Sequence, residues 1–231
     1  MQTLKLSKRL TAAADLVREG AFVADVGTDH AYLPLWLLLE GRIRGGVVSD
    51  INEGPLSRAV SHIRQYGAED RLSTLLCDGL AALEPYAPED VFILGMGGEL
   101  IARILSDAPF VKKAGIRLIL QPMTHPELLR AYLLSAGFRI TEEVLVKEEK
   151  IYQILAAEYT GEVGACDKLS LLFGEINLRR GGSLLLELLH RWEDILLRRL
   201  AGKQGAGEQA EEEERLLSDI RKYLKKKEIN A

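Results

Sequence analysis

An apolar run over residues 21–26 breaks at Gly27 and resumes over residues 33–39, with Thr28-Asp29-His30-Ala31-Tyr32 between the two. The first run has the length and bulk of a buried strand, and the second reads as an apolar helix. Strand, tight turn and helix make the first crossover unit of an α/β domain. In such a unit the helix N-terminus and exposed backbone N–H groups face a nucleotide or cofactor.

The residues of the turn narrow the ligand. A dinucleotide-binding turn is Gly-x-Gly-x-x-Gly; laid over Gly27, that pattern puts Asp29 in the place of the second glycine and Tyr32 in the place of the third. The second glycine lets backbone approach a pyrophosphate, so a carboxylate there sets negative charge against the phosphates. An acidic, glycine-poor turn therefore disfavours NAD and suits a cationic ligand without phosphates. S-adenosylmethionine, a sulfonium joined to adenosine, has that chemistry.

With 231 residues the chain has room for one full domain and a smaller appendage, and 47% hydrophobic with 28% charged residues is an ordinary globular balance. No apolar run reaches the length of a membrane span, and the basic N-terminal stretch with Lys5, Lys8 and Arg9 is followed by no signal-type apolar region. A cytoplasmic protein without membrane contact is expected. Cys77 and Cys166 are too few for a disulfide framework and stand in no His/Cys cluster, so they are expected to be packing residues, with no metal bound. A formal net charge of -4 means that any nucleic acid must be held through a local patch.

Along the chain, residues 4–18 carry Leu6, Leu10, Ala13 and Val17 at helical spacing, with Ser7 as N-cap. Lys8 and Arg9 in its early turn are candidate phosphate contacts, or else a solvated face. Residues 45–50 form a second strand ending in Asp50, about 20 residues beyond the first turn, where an acid accepts hydrogen bonds from ribose hydroxyls. A helix over 53–66 follows, then a third strand over 71–77 with Asp78-Gly79 at its end, suited to an adenine amino group and to close backbone approach. The fourth strand, 91–94, runs into Gly95-Met96-Gly97-Gly98 and a helix over 99–105. Glycines at that edge suggest backbone passing close to a ligand, because open α/β sheets bind ligands at the carboxyl ends of their strands. A fifth strand over 117–120 leads through Gln121-Pro122-Met123 to a helix over 126–135. Strands over 138–146 and 151–159 have no helix between them and must pair antiparallel.

Beyond residue 160 the periodicity changes. Leu185, Leu189, Trp192 and Leu196 alternate four and three apart along a helix over 184–200, the spacing of a coiled-coil seam. A loop over 201–207 leads to a second helix with Leu216, Leu217, Ile220 and Leu224, giving an antiparallel helical hairpin. Its acids at 211–214 and lysines at 225–227 complement the helix dipole. Residues 178–203 carry a basic excess that includes Arg198 and Arg199, so the hairpin reads equally as an RNA-gripping arm and as a dimerising or structural element. The division expected is 1–160 for a cofactor-binding domain and 161–231 for a helical extension. The oligomeric state stays open, with a monomer favoured.

The chain resembles the class I S-adenosylmethionine-dependent methyltransferases, and within them the bacterial tRNA (adenine-N1)-methyltransferases of the TrmK family, which modify adenine 22 in the D-arm. The residues that carry the resemblance are Leu6-Ser7-Lys8-Arg9-Leu10, Asp25-Val26-Gly27-Thr28-Asp29-His30-Ala31-Tyr32-Leu33-Pro34, Ser49-Asp50-Ile51-Asn52, Asp78-Gly79, Gly95-Met96-Gly97-Gly98 and Gln121-Pro122-Met123. The resemblance implies a Rossmann-like α/β domain, a mostly parallel sheet closed by an antiparallel hairpin, with a C-terminal α-helical coiled-coil extension. It also implies S-adenosylmethionine as cofactor and tRNA as partner. By position, Asp25, Gly27, His30 and Ile51 line the cofactor, Asp50 its ribose, Asp78 and Gly79 its adenine, and the loop Gly95-Met96-Gly97-Gly98 faces the methyl group and target base, with Gly95, Met96 and Gly97 as cofactor contacts. The Asn/Asp-Pro-Pro-aromatic motif of amino-nitrogen methylases is missing after the fourth strand, which fits a ring-nitrogen target.

Adenine N1 has a free lone pair and becomes cationic on methylation, so catalysis calls for alignment and nearby negative charge. Asp29 is the candidate for that role, accepting from N6–H or taking up a proton; its alternative is a turn-stabilising Asp. Tyr32 and Met96 could stack on an extruded base. Two other functions remain for comparison: a catalytically idle cofactor-binding RNA module, and a nucleotide-dependent oxidoreductase, which the acidic turn disfavours.

Overall fold

The computed structural model describes residues 4–28, 30–206 and 210–228. The chain divides into two compact units, Met1–Ala165 and Cys166–Ala231. In the first, α1 (Lys8–Ala14), β1 (Ala21–Val26), α2 (Tyr32–Leu39), β2 (Ile43–Asp50), α3 (Glu53–Gln65), β3 (Leu72–Leu76), β4 (Asp90–Met96), α4 (Gly98–Ser106), β5 (Arg117–Pro122), α5 (Pro126–Ser135), β6 (Phe138–Lys147) and β7 (Ile151–Tyr159) follow in order. Strands and helices alternate through β5 except between β3 and β4, which are joined by a loop with one 3-10 turn at Glu84–Tyr86, and the sheet order is β3-β2-β1-β4-β5-β7-β6. Strands β1 to β5 pair parallel, while β7 runs antiparallel to both β5 and β6. This is the mostly parallel, hairpin-closed Rossmann-like sheet expected.

Both faces of the sheet are covered, which is why its strands are apolar without alternation. Ala24, Val26, Val91, Ile93, Leu118 and Leu120 pack under α4 and α5, with Ile101, Leu105, Leu129 and Leu133. Val23, Val48, Phe92 and Ile119 face the other way, against α1, α2 and α3 through Ala13, Leu35, Ala59 and Ile63. The chain steps from β1 to β2 on one side and later to β4 on the other. A crevice opens at such a reversal, at the strands' carboxyl ends.

The hairpin departs from strict alternation. A bulge between Ile140 and Glu142 leaves Thr141 unpaired, after which Glu143 stands opposite Leu155. The extra residue turns Glu143 onto the face of Phe138 and Leu155, under α5. There Arg130 of α5 donates to Glu143 Oε1 at 2.7 Å and to Gln153 Oε1 at 2.8 Å. Both charged side chains are 1% exposed.

The second unit holds α6 (Lys168–Phe173), α7 (Glu175–Arg180), α8 (Ser183–Ala206) and α9 (Glu211–Glu228). Helices α6 and α7 are not expected from the periodicity, each being only 6 residues long. The first long helix, expected over 184–200 with a loop over 201–207, instead continues as α8 through Gly202 to Ala206; position 207 lies outside the described residues. The two long helices run antiparallel, as Lys203–Glu213 at 2.6 Å and Arg221–Glu193 at 2.6 Å require. Leu185, Leu189 and Leu196 are buried with Leu216, Leu217, Ile220 and Leu224. Trp192, by contrast, meets Phe173 of α6 edge to face at 5.9 Å, so the apolar stripe of α8 serves more than a two-helix seam. No helix among the described residues is long and apolar enough to cross a membrane.

Candidate active site

The first turn is built as its sequence suggests. Gly27 and Thr28 donate their backbone N–H groups to Ser49 O of β2, at 2.8 and 3.2 Å. Gly27 has φ +74, which only glycine adopts cheaply. A Cβ there would stand 2.0 Å from Met96 Cε, so the end of β4 lies directly over the turn. Thr28 Oγ1 accepts from Ala31 N at 3.0 Å, holding Ala31 in the left-handed region at φ 56 where α2 begins. The Thr28 hydroxyl also bonds the Asp25 carboxylate.

Two clefts meet at Gly27. The first, of about 280 Å³, is lined by Gly27, Asp50, Ile51, Asp78, Gly79 and Met96 from the ends of four strands, together with Asn52, Cys77 and a face of α4. Asp50 Oδ1 accepts from Asn52 N at 2.7 Å, fixing the carboxylate at the cleft wall. Gly79 has φ +53, and a Cβ there would press on Ile104 at 3.0 Å. The second cleft, of about 260 Å³, is lined by Arg9, Asp25, Gly27, Thr28, His30 and Tyr32 with Leu10, Leu33 and Leu94. Burial pushes the Asp25 carboxyl up to about 6, against the lowering effect of the Thr28 hydrogen bond.

Arg9 is positioned from three sides. Its Nη1 donates to Oε1 of the fully buried Gln121 at 2.7 Å, its backbone N–H donates to Glu148 Oε1 at 2.7 Å, and its guanidinium lies 5.7 Å from the Tyr152 ring. The N–H of Arg9, chief among several contacts, holds Glu148 below the usual carboxylate range.

The structure thus gathers ten of the predicted residues at one locus: Arg9, Asp25, Gly27, His30, Tyr32, Asp50, Ile51, Asp78, Gly79 and Met96. Gly95, at φ +81, lies beside Arg9, and Gly97 caps α4 against Thr124; neither is among the residues lining the two clefts. Gly98 is a packing glycine, since a Cβ would stand 2.2 Å from His125 O. Lys8 is exposed on α1, and Arg198 and Arg199 are exposed on α8 in the second unit. Asp29 lies outside the described residues; its sequence neighbours Thr28 and His30 both line the second cleft. Cys77 lines the first cleft as well as packing on the core. Leu100, Arg103 and Ile104, not among the expected site residues, also line the first cleft; Arg103 and Ile104 stand three and four residues after Leu100, a helix face legible in the sequence. Among the described residues no group of acids, histidines and cysteines could hold a metal.

The model of the family described as "Methyltransferase domain" matches residues 6–155. The curated tRNA (adenine(22)-N(1))-methyltransferase of Bacillus subtilis is 36% identical over 175 residues, 75% of this chain and 74% of that protein. The crystal structure of the B. subtilis M1A22 tRNA methyltransferase TrmK superposes with a TM-score of 0.80 at 29% identity, covering 96% of this chain and 98% of that one. Streptococcus pneumoniae Sp1610 in complex with S-adenosyl-L-methionine gives 0.85 at 31% identity, covering 95% and 100%. By its match to the domain model and its identity to the B. subtilis protein, this chain belongs to the TrmK family of tRNA (adenine(22)-N(1))-methyltransferases.

Proposed function

We infer that this chain transfers a methyl group from S-adenosyl-L-methionine to N1 of adenine 22 in the D-arm of tRNA. The observation that carries the reading is the meeting at Gly27 of two clefts with complementary chemistry, in a chain of this family. Asp50 and Asp78 in the first suit the ribose hydroxyls and adenine amino group of the donor. Asp25 and Arg9 in the second suit the two ends of a zwitterion, the carboxylate for its ammonium and the guanidinium for its carboxylate. This moves Arg9 from an RNA contact to the methyl donor, and leaves Lys8 of the first unit and Arg198 and Arg199 of the second as tRNA contacts. Gly27, His30, Ile51, Gly79 and Met96 complete the donor site, with Gly95 and Gly97 shaping the β4–α4 turn around it. Residues 1–160 are the methyltransferase domain and 161–231 its helical extension. The enzyme acts as a monomer in the cytoplasm.

S-adenosyl-L-methionine supplies an electrophilic methyl on a sulfonium. The protein's task is to present adenine N1 in line with it and to stabilise the positive charge that develops on the base. Asp29, between two residues of the second cleft, accepts from the base N6–H and provides that charge; Tyr32 stacks on the ring. In a tRNA pool incubated with enzyme and donor, reverse transcription is expected to stop at adenine 22, because N1-methylation blocks the pairing edge. Asp29→Asn should slow single-turnover transfer by about 100-fold, the scale of one lost charge-stabilising group. Equal rates would remove Asp29 from the mechanism, while donor binding without any stop would favour the idle module.

Asp25 gives the donor site a pH dependence. Its folded-state pKa lies above the ordinary carboxylate value, at about 6. An ammonium beside it favours the ionised form, so binding expels a proton at low pH. Donor affinity is expected to be flat above about pH 7 and to fall by up to about tenfold per unit below about pH 6. Calorimetry from pH 5 to 8 checks this; Asp25→Asn should bind weakly with no slope, and a wild-type curve without slope would take Asp25 away from the ammonium. The same burial makes the ionised Asp25 costly to the donor-free fold, fully so above about pH 6 and not at all below about pH 4. Asp25→Asn at pH 7.5 therefore loses binding without losing stability.

A further inference from the structure

His62 stands in α3, 32 positions from the first turn, and belongs to neither cleft lining. Its ring is nonetheless stacked on that of His30, with centroids 5.0 Å apart and planes at 26°. His30 in turn stacks on Tyr32 at 5.0 Å and 21°, and Tyr32 closes the triangle with His62 at 5.2 Å. His62 Nδ1 lies 3.1 Å from His30 O, which fixes the imidazole by a backbone contact and commits Nδ1–H as donor. Two of the three rings line the second cleft, and Tyr32 is 39% exposed.

Flat, partly exposed rings at the mouth of a methyl-transfer cleft are surfaces on which nucleobases stack. Extruding a base breaks its stacking with both neighbours as well as its pairing. A platform that continues out of the cleft can replace part of what a neighbour loses. We propose that His30, Tyr32 and His62 form one stacking platform for tRNA, in which His62 receives the nucleotide flanking the methylated adenine. His62 is thus a substrate-positioning residue, resting on the tRNA methyltransferase reading above.

Two roles of the imidazole can be separated. Phenylalanine keeps a stacking face and loses the bond to His30 O; asparagine keeps a donor near the Nδ1 position and loses the face. At saturating donor, His62→Ala and His62→Asn are expected to raise KM for tRNA about tenfold, equivalent to about 1.4 kcal/mol, while His62→Phe restores most of it. kcat and donor affinity should change by less than about twofold in all three, since His62 itself lines neither cleft. A tRNA carrying 2-aminopurine beside adenine 22 should be quenched on binding by wild type and His62→Phe, and less so by His62→Asn. Rescue by asparagine and not by phenylalanine would make His62 a tether of the first turn and overturn the platform, as would an unchanged KM in His62→Ala. Wild-type protein that binds and quenches the labelled tRNA without methylating it would refute the functional reading and leave the platform standing.

Discussion

Gly27→Ala is expected to abolish binding of the methyl donor, raising its Kd by at least about 100-fold, or about 2.7 kcal/mol. Three effects converge on this one methyl group. The backbone sits at φ +74, where a side chain costs about 1–3 kcal/mol. The added Cβ would lie 2.0 Å from Met96 Cε, forcing that side chain away. The same carbon would also project into the junction of the two clefts, which the donor must cross to place its adenosine by Asp50 and its amino acid by Asp25. Titration calorimetry measures the loss, and the melting temperature of the donor-free variant measures the backbone cost separately. The double variant Gly27→Ala/Met96→Ala separates steric relief from occlusion. If it binds like wild type, Met96 alone was responsible; binding within threefold of wild type by Gly27→Ala itself would show that the donor does not lie over this turn.

The first turn was the most legible part of the chain because its information is local. The strand Ala21–Val26 and the helix Pro126–Ser135 have the boundaries expected, and every other core strand falls within two residues at its start, since buried strands and capped helices are written in contiguous residues. Asp50 and Asp78-Gly79 were legible for the same reason: ends of parallel strands share one edge, so order along the chain already places them together. What was not legible depends on pairing between distant residues. Arg9 owes its place to Gln121 and Glu148, 112 and 139 positions away, and no local pattern announces that. His62 reaches His30 only because α3 returns beside the turn. Gly202 looked like a loop residue, yet packing of α8 against α9 carries the helix through it. The bulge at Thr141 shifts the phase of β6, so strict alternation from Phe138 and Ile140 puts Glu143 on the wrong face.

That buried Glu143 supports the second large expectation. Arg130→Ala should destabilise the first unit by about 3–5 kcal/mol, because it strands a carboxylate that is 1% exposed between α5 and the hairpin. The pair Arg130→Met/Glu143→Leu removes both charges at similar volume and should cost far less, or nothing, since desolvation of the ions offsets most of their attraction. Urea unfolding can follow the first unit alone: the chain has two tryptophans, Trp36 in α2 and Trp192 in α8, so a Trp192→Phe background leaves one reporter in the unit concerned. A cost under about 1 kcal/mol for Arg130→Ala would mean that the ion pair is not what joins these elements. The effect should also reach the donor. The β6–β7 turn supplies Glu148 to the backbone of Arg9, and Tyr152 of β7 lies under its guanidinium. A hairpin loosened at Arg130 therefore releases Arg9 from two of its three supports. Donor affinity should fall in Arg130→Ala even at temperatures where the fold is intact, and recover in the double variant, which restores the packing without restoring the charge.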